Sequence, residues 1–177
     1  MTSLTGDDFV EFVAASRERL RRTAFLLCGD WHLASDITQE ALIRVYVAWP
    51  RLERKGGLEA YARRAVVSVV IDQSRKRSST EVPGIAVQAA PSARDLAGDV
   101  VARQAMLHAL ARLPQRRRAC VVLRYFDDLS VTEVATLLGV SEGTVKSQTS
   151  RGLASLRAMF EEETRDELLV TGKGRLW

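Results

Sequence analysis

Cysteine and histidine are scarce in this chain, which limits the chemistry that it can perform. The 177 residues include two cysteines and two histidines. Cys28 and Cys120 stand far apart among apolar neighbours, and neither a Cys-x-x-Cys spacing nor a nearby histidine offers a metal site. His32 and His108 are isolated and lack a nucleophile partner. Since no glycine loop that could cradle phosphates is present either, we predict two core thiols, no metal, no cofactor, no catalytic residue and no enzyme.

Long apolar runs are also missing. Hydrophobic residues make up 46% of the chain, yet the longest apolar runs fall far short of the roughly 20 residues that a membrane-spanning helix needs. The first nine residues include Asp7 and Asp8, and they lack the basic start and apolar core of an export signal. We therefore expect a soluble, globular chain that is not inserted in a membrane and stays in the cytoplasm.

Positive charge is concentrated in particular segments. The formal net charge at pH 7 is only +4, which permits a polyanionic partner without demonstrating one. Between Leu58 and Arg77, however, bases outnumber acids, whereas Glu161 to Glu167 carries five acids and one base. A local excess of Lys and Arg is what nucleic-acid binding requires. The acidic segment either folds back on a basic surface or solvates the end of the chain.

Apolar residues at intervals of three, four and seven predict amphipathic helices in the first part of the chain. One stripe runs from Phe9 to Leu27, and a second runs from Leu33 to Ala48 after the natural stop at Gly29. A third helix is predicted from Glu59 to Arg77. Its centre, residues 65–71, is β-branched enough to resemble a strand, but the basic flanks favour one continuous helix.

A break in this pattern divides the chain into two modules. Residues 78–97 change to Ser, Thr, Pro, Gly and Ala without a regular apolar period, which predicts a flexible linker. Helical spacing then resumes over Val100–Leu113, Gln115–Tyr125 and Ser130–Phe160. Because no stretch alternates like a strand, the predicted fold class is all-α. We expect two small helical domains, at residues 7–77 and 98–160, and a tail at 161–177.

Residues 130–147 form the clearest motif of the chain. Ser130 and Glu133 are spaced for a capping box that starts a helix, and Gly139 stands where a helix ends in the left-handed conformation. Ser141 can cap the next helix, which leaves a turn too short for the two helices to lie antiparallel. This spacing predicts a helix-turn-helix; the alternative is a plain helical hairpin with a solvated polar face.

The second helix of this motif offers candidates for reading DNA. Its apolar stripe can face inward, with Val145, Thr149, Leu153 and Leu156. Early residues of a recognition helix reach base edges, and Arg can contact guanine through two hydrogen bonds. The apolar stripe leaves Lys146, Ser147, Ser150 and Arg151 on the other side of the helix, and these are the predicted DNA-reading residues. The run Arg112, Arg116, Arg117 and Arg118 before the motif is either a set of phosphate contacts or a solvated face.

Two parts of the chain resemble one protein family, in the same order. Residues 129–157, above all Gly143-Thr144-Val145-Lys146-Ser147 with Arg151, are similar to the promoter-reading domain of bacterial sigma factors. Residues 34–46 resemble the helix with which that family binds the clamp of RNA polymerase, and Leu58–Arg77 resembles its promoter-melting segment. A short chain with only these two modules is similar to the extracytoplasmic-function (group IV) class of sigma-70 factors, in its SigE-like branch.

The resemblance implies an initiation factor that catalyses nothing itself and gives RNA polymerase its promoter specificity. The first domain (sigma domain two) would hold core polymerase and the −10 promoter element, and the second (sigma domain four) would read the −35 element. The implied partners are RNA polymerase core, at its clamp and flap regions, promoter DNA and, since the class is commonly held by one, an anti-sigma factor.

Site residues carry over from the family by position, and the resemblance adds Thr144 and Gln148 to the DNA-reading set. The polymerase-facing set is Asp36, Gln39, Glu40 and Arg44, for which the alternative is a solvated helix face. An aromatic platform that stacks bases and cations that follow phosphates are expected on the segment that engages melted DNA. That set is Tyr61, Arg63, Arg64, Ser68, Arg75, Lys76 and Arg77, of which Tyr61 could equally lie in the core.

Three positions depart from the family pattern. Many members have Asn where this chain has Ser68, so the pocket for a flipped base is expected to differ. Many also carry Arg at the position of Gln148 and an aromatic or basic residue near Ser150, so the −35 sequence that is read is expected to differ.

Two other functions share some of these features. A transcriptional regulator could use the same helix-turn-helix after a sensing or dimerising module, as response regulators do. A receiver domain, however, would alternate strands and helices, unlike residues 9–77. A scaffold or inhibitor could bind polymerase without reading DNA. Promoter-specific transcription that depends on Lys146 and Arg151 would discriminate against the scaffold.

Overall fold

The fold consists of helices in two separate units. A computed structural model describes residues 6–52, 57–78 and 97–172, without the side chains of 74–78, 97–100, 163, 164 and 166–172. The chain divides into two compact units, Met1–Pro91 and Ser92–Trp177. Within the described residues, seven α-helices and no strands are found, which confirms the all-α prediction. Residues 79–96, nearly all of the predicted linker, lie outside the described residues, so the linker stays a prediction.

Three helices build the first unit, and each packs against the other two. They are α1 (Gly6–Cys28), α2 (Trp31–Ala48) and α3 (Leu58–Ser78), with a 3-10 turn at Trp49–Arg51 after α2. Gly29, with a φ of +78°, turns the chain between α1 and α2. The side chain of Asp30 then caps α2 by accepting a hydrogen bond of 2.9 Å from the backbone N–H of Leu33.

The core of this unit follows the predicted apolar stripes. The fully buried side chains on α1 and α2 include Leu20, Ala24, Leu27, Ile37, Ala41 and Val45. Phe9 contacts the rings of Tyr46 and Trp49 edge-on, at centroid distances of 5.0 and 5.1 Å, which anchors the start of α1 on the end of α2.

The β-branched centre of α3 is helical, as predicted, and it is the most buried part of the helix. Val66 and Val69 are completely buried, and Val67 and Val70 are nearly so. Since α1 and α2 both cover α3, burial of these side chains outweighs their weak helix propensity. The resemblance of this run to a strand therefore reflects burial on two sides.

Four helices build the second unit: α4 (Ala97–Arg112), α5 (Gln115–Tyr125), α6 (Val131–Leu138) and α7 (Glu142–Gly172). The long helix α7 packs against the other three. The completely or almost completely buried side chains include Leu110, Cys120, Val121, Val122, Leu123, Val134 and Val145. Both cysteines are buried and neither forms a disulfide, which agrees with the prediction of core thiols, and burial raises the pKa of the Cys120 thiol.

Helix α7 is longer than the sequence suggested. We expected it to end near Phe160, whereas it continues to Gly172, through most of the predicted tail. The physical reason is that no Gly or Pro interrupts residues 161–171, and Glu, Arg and Leu are good helix formers. Glu161 and Glu162 are exposed, in keeping with the solvated alternative for the acidic segment.

Arg118 is a core residue, so its placement among candidate phosphate contacts was wrong. Its side chain is 7% exposed, and its guanidinium donates to the carbonyl oxygens of Ala111 and Leu113, the latter at 3.3 Å. These carbonyls lie at the end of α4, where the helix itself provides no donors. Arg118 therefore closes the turn between α4 and α5. Arg112 and Arg116 are exposed, and Arg117 is half-buried.

A close helix contact depends on Gly152 of α7. A Cβ atom built there would lie 2.6 Å from Cγ2 of Val121, a buried residue of α5. Overpacking of this kind costs about 1–3 kcal/mol, more than the gain of about 1 kcal/mol when Ala replaces Gly in a helix. We expect Gly152→Ala to lower the free energy of unfolding, as measured by urea denaturation.

Gly143→Ala provides the matched control for that prediction. Gly143 lies on the same helix, and a Cβ there would meet only the Ser141 hydroxyl, at 3.9 Å. The same substitution should therefore leave stability unchanged or raise it by up to about 1 kcal/mol. If both substitutions changed the free energy of unfolding equally, the close approach of α5 to α7 would not depend on the missing side chain at Gly152.

Candidate nucleic-acid and polymerase interfaces

The start of α6 has the capping box that the sequence predicted. The hydroxyl of Ser130 accepts from the backbone N–H of Glu133 at 3.1 Å, and Oε2 of Glu133 accepts from the Ser130 N–H at 2.7 Å. At the other end Gly139 adopts the left-handed conformation, with a φ of +65°, and the N–H of Val140 donates to the carbonyl of Ala135. Both helix ends are thus satisfied locally.

The turn after Gly139 leads directly into α7. The Ser141 hydroxyl accepts from the backbone N–H of Thr144 at 3.1 Å, as expected of a helix cap. The Thr132 hydroxyl donates to Oε1 of Glu142 at 2.7 Å and so links α6 to the start of α7. The predicted helix-turn-helix is therefore present, with its angle fixed by short-range polar contacts and by a common core.

The start of α7 separates an inner from an outer face. Val145, Thr149 and Leu156 are buried and Leu153 is half-buried, as the apolar stripe predicted. Of the predicted DNA-reading residues, Lys146, Ser150 and Arg151 are exposed, whereas Thr144, Ser147 and Gln148 are half-buried. Thr144 and Ser147 also bond within the protein, since the Ser147 hydroxyl donates to the Thr144 carbonyl at 3.0 Å. The outer face thus presents the positively charged side chains of Lys146 and Arg151, which can attract DNA at a distance and contact bases.

The predicted polymerase-facing residues lie along α2, but they differ in their surroundings. Asp36, Gln39 and Glu40 are exposed. Arg44 is half-buried and turns toward α3, where it contacts Ser68 and Asp72. The structure therefore brings together Arg44 and Ser68, which the sequence assigned to different partners.

Sequence reasoning missed an apolar surface on the same helix. Ile43, Tyr46 and Val47 are 57%, 60% and 72% exposed, which is unusual for side chains of this size. Ile43 and Tyr46 line a groove of about 540 Å³ between α1 and α2, together with Gln39, Arg17 and Arg21, among others. The available signal was that these three apolar residues lie off the stripe that α2 buries.

Only some of the predicted DNA-melting residues lie along one edge of α3. Tyr61, Arg64 and Ser68 follow each other at helical spacing; Arg64 is exposed, and Tyr61, Arg63 and Ser68 are half-buried. Tyr61 is therefore outside the fully buried core. The side chains of Arg75, Lys76 and Arg77 lie outside the described part of the structure, although α3 includes their backbone.

Neither a metal cluster nor a membrane-spanning helix is found in the part of the chain that is described. Residues 6–52, 57–78 and 97–172 contain no cluster of three or more His, Cys, Asp or Glu side chains that could hold a metal ion. Among the same residues, no helix combines the length and the apolar character required to cross a membrane.

Comparison with known proteins assigns the family. Residues 12–80 match "Sigma-70 region 2", and residues 103–156 match "Sigma-70, region 4". The RNA polymerase sigma-E factor of Streptomyces coelicolor is 38% identical over 150 residues, which cover 85% of this chain and 84% of that protein. The ECF RNA polymerase sigma factor SigW of Bacillus subtilis is 27% identical over 170 residues, covering 88% of this chain and 90% of that protein.

The fold agrees with this assignment. The sigma factor RpoE of Bartonella quintana, solved in complex with the anti-sigma factor NepR, matches with a TM-score of 0.72 at 22% identity, over 87% of this chain and 97% of that one. The two matched regions occur in the order that the sequence predicted, and they include the helix-turn-helix and the three-helix unit. This chain belongs to the sigma-70 family of RNA polymerase sigma factors, in its extracytoplasmic-function group.

Proposed function

We propose that this chain binds RNA polymerase core through α2, reads the −35 promoter element with the start of α7 and engages the opened −10 element with α3. Sigma factors are initiation factors that bind polymerase core and promoter DNA and are not enzymes, which agrees with the prediction of no catalytic activity. The observation that carries the proposal is a capped helix-turn-helix with Lys146 and Arg151 outward, in one chain with a region 2 domain.

The start of α7 is suited to the major groove. Its inner face is held by the core through Val145 and Thr149, so Lys146 and Arg151 are presented by a rigid scaffold. Arg151 can make a bidentate contact to guanine, and Lys146 can contact either a base or a phosphate. Gln148, in place of the Arg of many relatives, presents both a donor and an acceptor, which suits adenine better than guanine.

The exposed side of α2 is suited to a protein partner. Asp36 and Glu40 provide negative charge, and Ile43, Tyr46 and Val47 provide adjoining apolar area. Protein interfaces commonly combine an apolar centre, rich in aromatic side chains, with a polar rim. We propose this surface for the polymerase clamp.

The second domain also exposes large apolar side chains. Val101, Tyr125 and Phe126 are all large, apolar and substantially exposed. Since the start of α7 is assigned to DNA, we propose these three residues for the flap region of polymerase.

An anti-sigma factor and a cytoplasmic location complete the proposal. The anti-sigma factor NepR is bound to the structural relative RpoE, which supports a regulatory partner of this kind for the present chain. A factor that acts on core polymerase works where the chromosome is transcribed, so we place the protein in the cytoplasm.

Run-off transcription tests the proposed function. Purified bacterial core polymerase is given fragmented genomic DNA from the source organism, with or without this protein, and the transcripts are mapped by sequencing. We expect discrete start sites that share two spaced upstream elements and appear only with the protein present. If DNA binding is intact but no new initiation occurs, the chain acts as a conventional regulator and the proposal is wrong.

A further inference from the structure

The side chain of Arg44 joins the two helices that are proposed for different partners. Its Nη1 lies 3.3 Å from the Ser68 hydroxyl oxygen, and its Nη2 lies 2.6 Å from Oε1 of Glu40 and 3.5 Å from Oδ2 of Asp72. Glu40 precedes Arg44 by one turn on α2, whereas Ser68 and Asp72 are one turn apart on α3. Arg44 thus points at the helix proposed to engage melted DNA.

The guanidinium is held in a defined orientation by these contacts. Glu40 and Asp72 are acceptors on two different helices, and the planar fork of Arg can donate to both while a further N–H reaches Ser68. Lys would present all of its donors from a single nitrogen, whereas Arg44 uses Nη1 for Ser68 and Nη2 for the two carboxylates. The arrangement therefore depends on Arg specifically and on both carboxylates.

This contact determines how the Ser68 hydroxyl can bond. A guanidinium only donates hydrogen bonds, so the Ser68 oxygen must accept from Arg44, and the hydroxyl hydrogen remains available for another acceptor. Within the described residues, Ser68 has no second hydrogen-bond partner. The hydroxyl is half-buried on the edge of α3 that also carries Tyr61 and Arg64.

We infer that Arg44 is a positioning residue for promoter opening: it fixes the Ser68 hydroxyl as a hydrogen-bond donor to an unpaired base of the −10 element. An Asn side chain would offer an amide donor and a carbonyl acceptor, whereas Ser68 held in this way directs one hydroxyl hydrogen away from Arg44, and its oxygen already accepts from the guanidinium. Ser68 thereby favours a base that presents an acceptor at one position of the element. This inference rests on the proposed function of the chain.

The test compares opening with core binding in reconstituted holoenzyme. The probe is a promoter duplex from the run-off mapping, together with duplexes in which each −10 base is replaced in turn. Open complexes are measured by the permanganate reactivity of unpaired thymines, and core affinity by fluorescence anisotropy of labelled protein. The variants are Arg44→Gln, Ser68→Ala, their combination, and Ser68→Thr, which keeps the hydroxyl.

A fixed result is expected for each variant. Loss of one hydrogen bond involving a charged or base partner corresponds to about tenfold, so Arg44→Gln and Ser68→Ala should each reduce opening about tenfold. The combined variant should be no worse than either, because Arg44 acts through Ser68. Arg44→Gln and Ser68→Ala should both flatten the preference at the same −10 position. Because the Arg44 side chain reaches Ser68 and Asp72 of α3, we withdraw it from the polymerase-facing set and expect core affinity to change less than about twofold. Ser68→Thr should behave as the native protein.

Arg22→Gln provides the matched control and should leave opening unchanged. Arg22 is an exposed residue of the same domain, and it too pairs with a Glu four residues earlier, at 3.7 Å. Losses that multiply in the combined variant would refute the inference, as would reduced core affinity with normal opening. If Arg44→Gln does not fold, a normal −10 preference in Ser68→Ala refutes it. Absence of opening by the native protein would instead refute the proposed function.

Discussion

Replacing Lys146 and Arg151 together with alanine is expected to abolish promoter selection and to leave the binding of RNA polymerase core unchanged. Both side chains are exposed on α7 and make no hydrogen bond within the described residues, so their removal should not disturb the fold. Contacts of this type to bases or phosphates contribute about 1–3 kcal/mol each, so we expect at least about 30-fold weaker binding to a −35 fragment. Anisotropy with labelled promoter DNA measures the loss.

Arg157→Ala is the matched control for this prediction. Arg157 is exposed on the same helix but lies beyond its first turns, which are the ones that a recognition helix inserts into the groove. The control removes one positive charge and should affect binding only through general electrostatics, by less than about tenfold at physiological salt. Loss of core binding in a folded Lys146→Ala/Arg151→Ala protein would contradict the division of labour between the two domains.

The features that were predictable from the sequence are those with local causes. The capping box of Ser130 and Glu133 and the left-handed Gly139 depend on residues within four positions of one another, so their spacing sufficed. The inner stripes of α1, α2 and α7 were predictable for a similar reason, because helical periodicity alone determines which side chains share a face.

The features that were not predictable depend on residues distant in the sequence. Gly152 is required by Val121 on another helix, and Arg118 is buried because the end of α4 needs donors. The Arg44 side chain was assigned to the outer face of α2, whereas its position is determined by Ser68 and Asp72, more than twenty residues away. Periodicity predicts the helix face from which a long side chain starts, but it does not predict which residue the end of that side chain contacts.

Reversing the charge of Asp36 is expected to weaken polymerase association without changing the affinity of the protein for DNA. Asp36 is exposed on α2, and no hydrogen bond or ion pair involves its side chain within the described residues. Two like charges that face each other at an interface cost up to several kcal/mol and commonly slow association. We therefore expect Asp36→Lys to reduce core affinity about tenfold or more. Anisotropy with labelled protein and core polymerase measures it.

Reversing the charge of Glu40 should have two effects, because this residue also holds Arg44 at 2.6 Å. Glu40→Lys should reduce core affinity as Asp36→Lys does, and in addition it should reduce opening of the −10 element by releasing Arg44 from Ser68. Glu11→Lys, an equal charge change at an exposed position of α1, is the control and should change neither. Unchanged holoenzyme formation in both α2 variants would remove this face from the polymerase interface. A Glu40→Lys protein with weak core binding but normal opening, once saturated with core, would show that the two helices act independently.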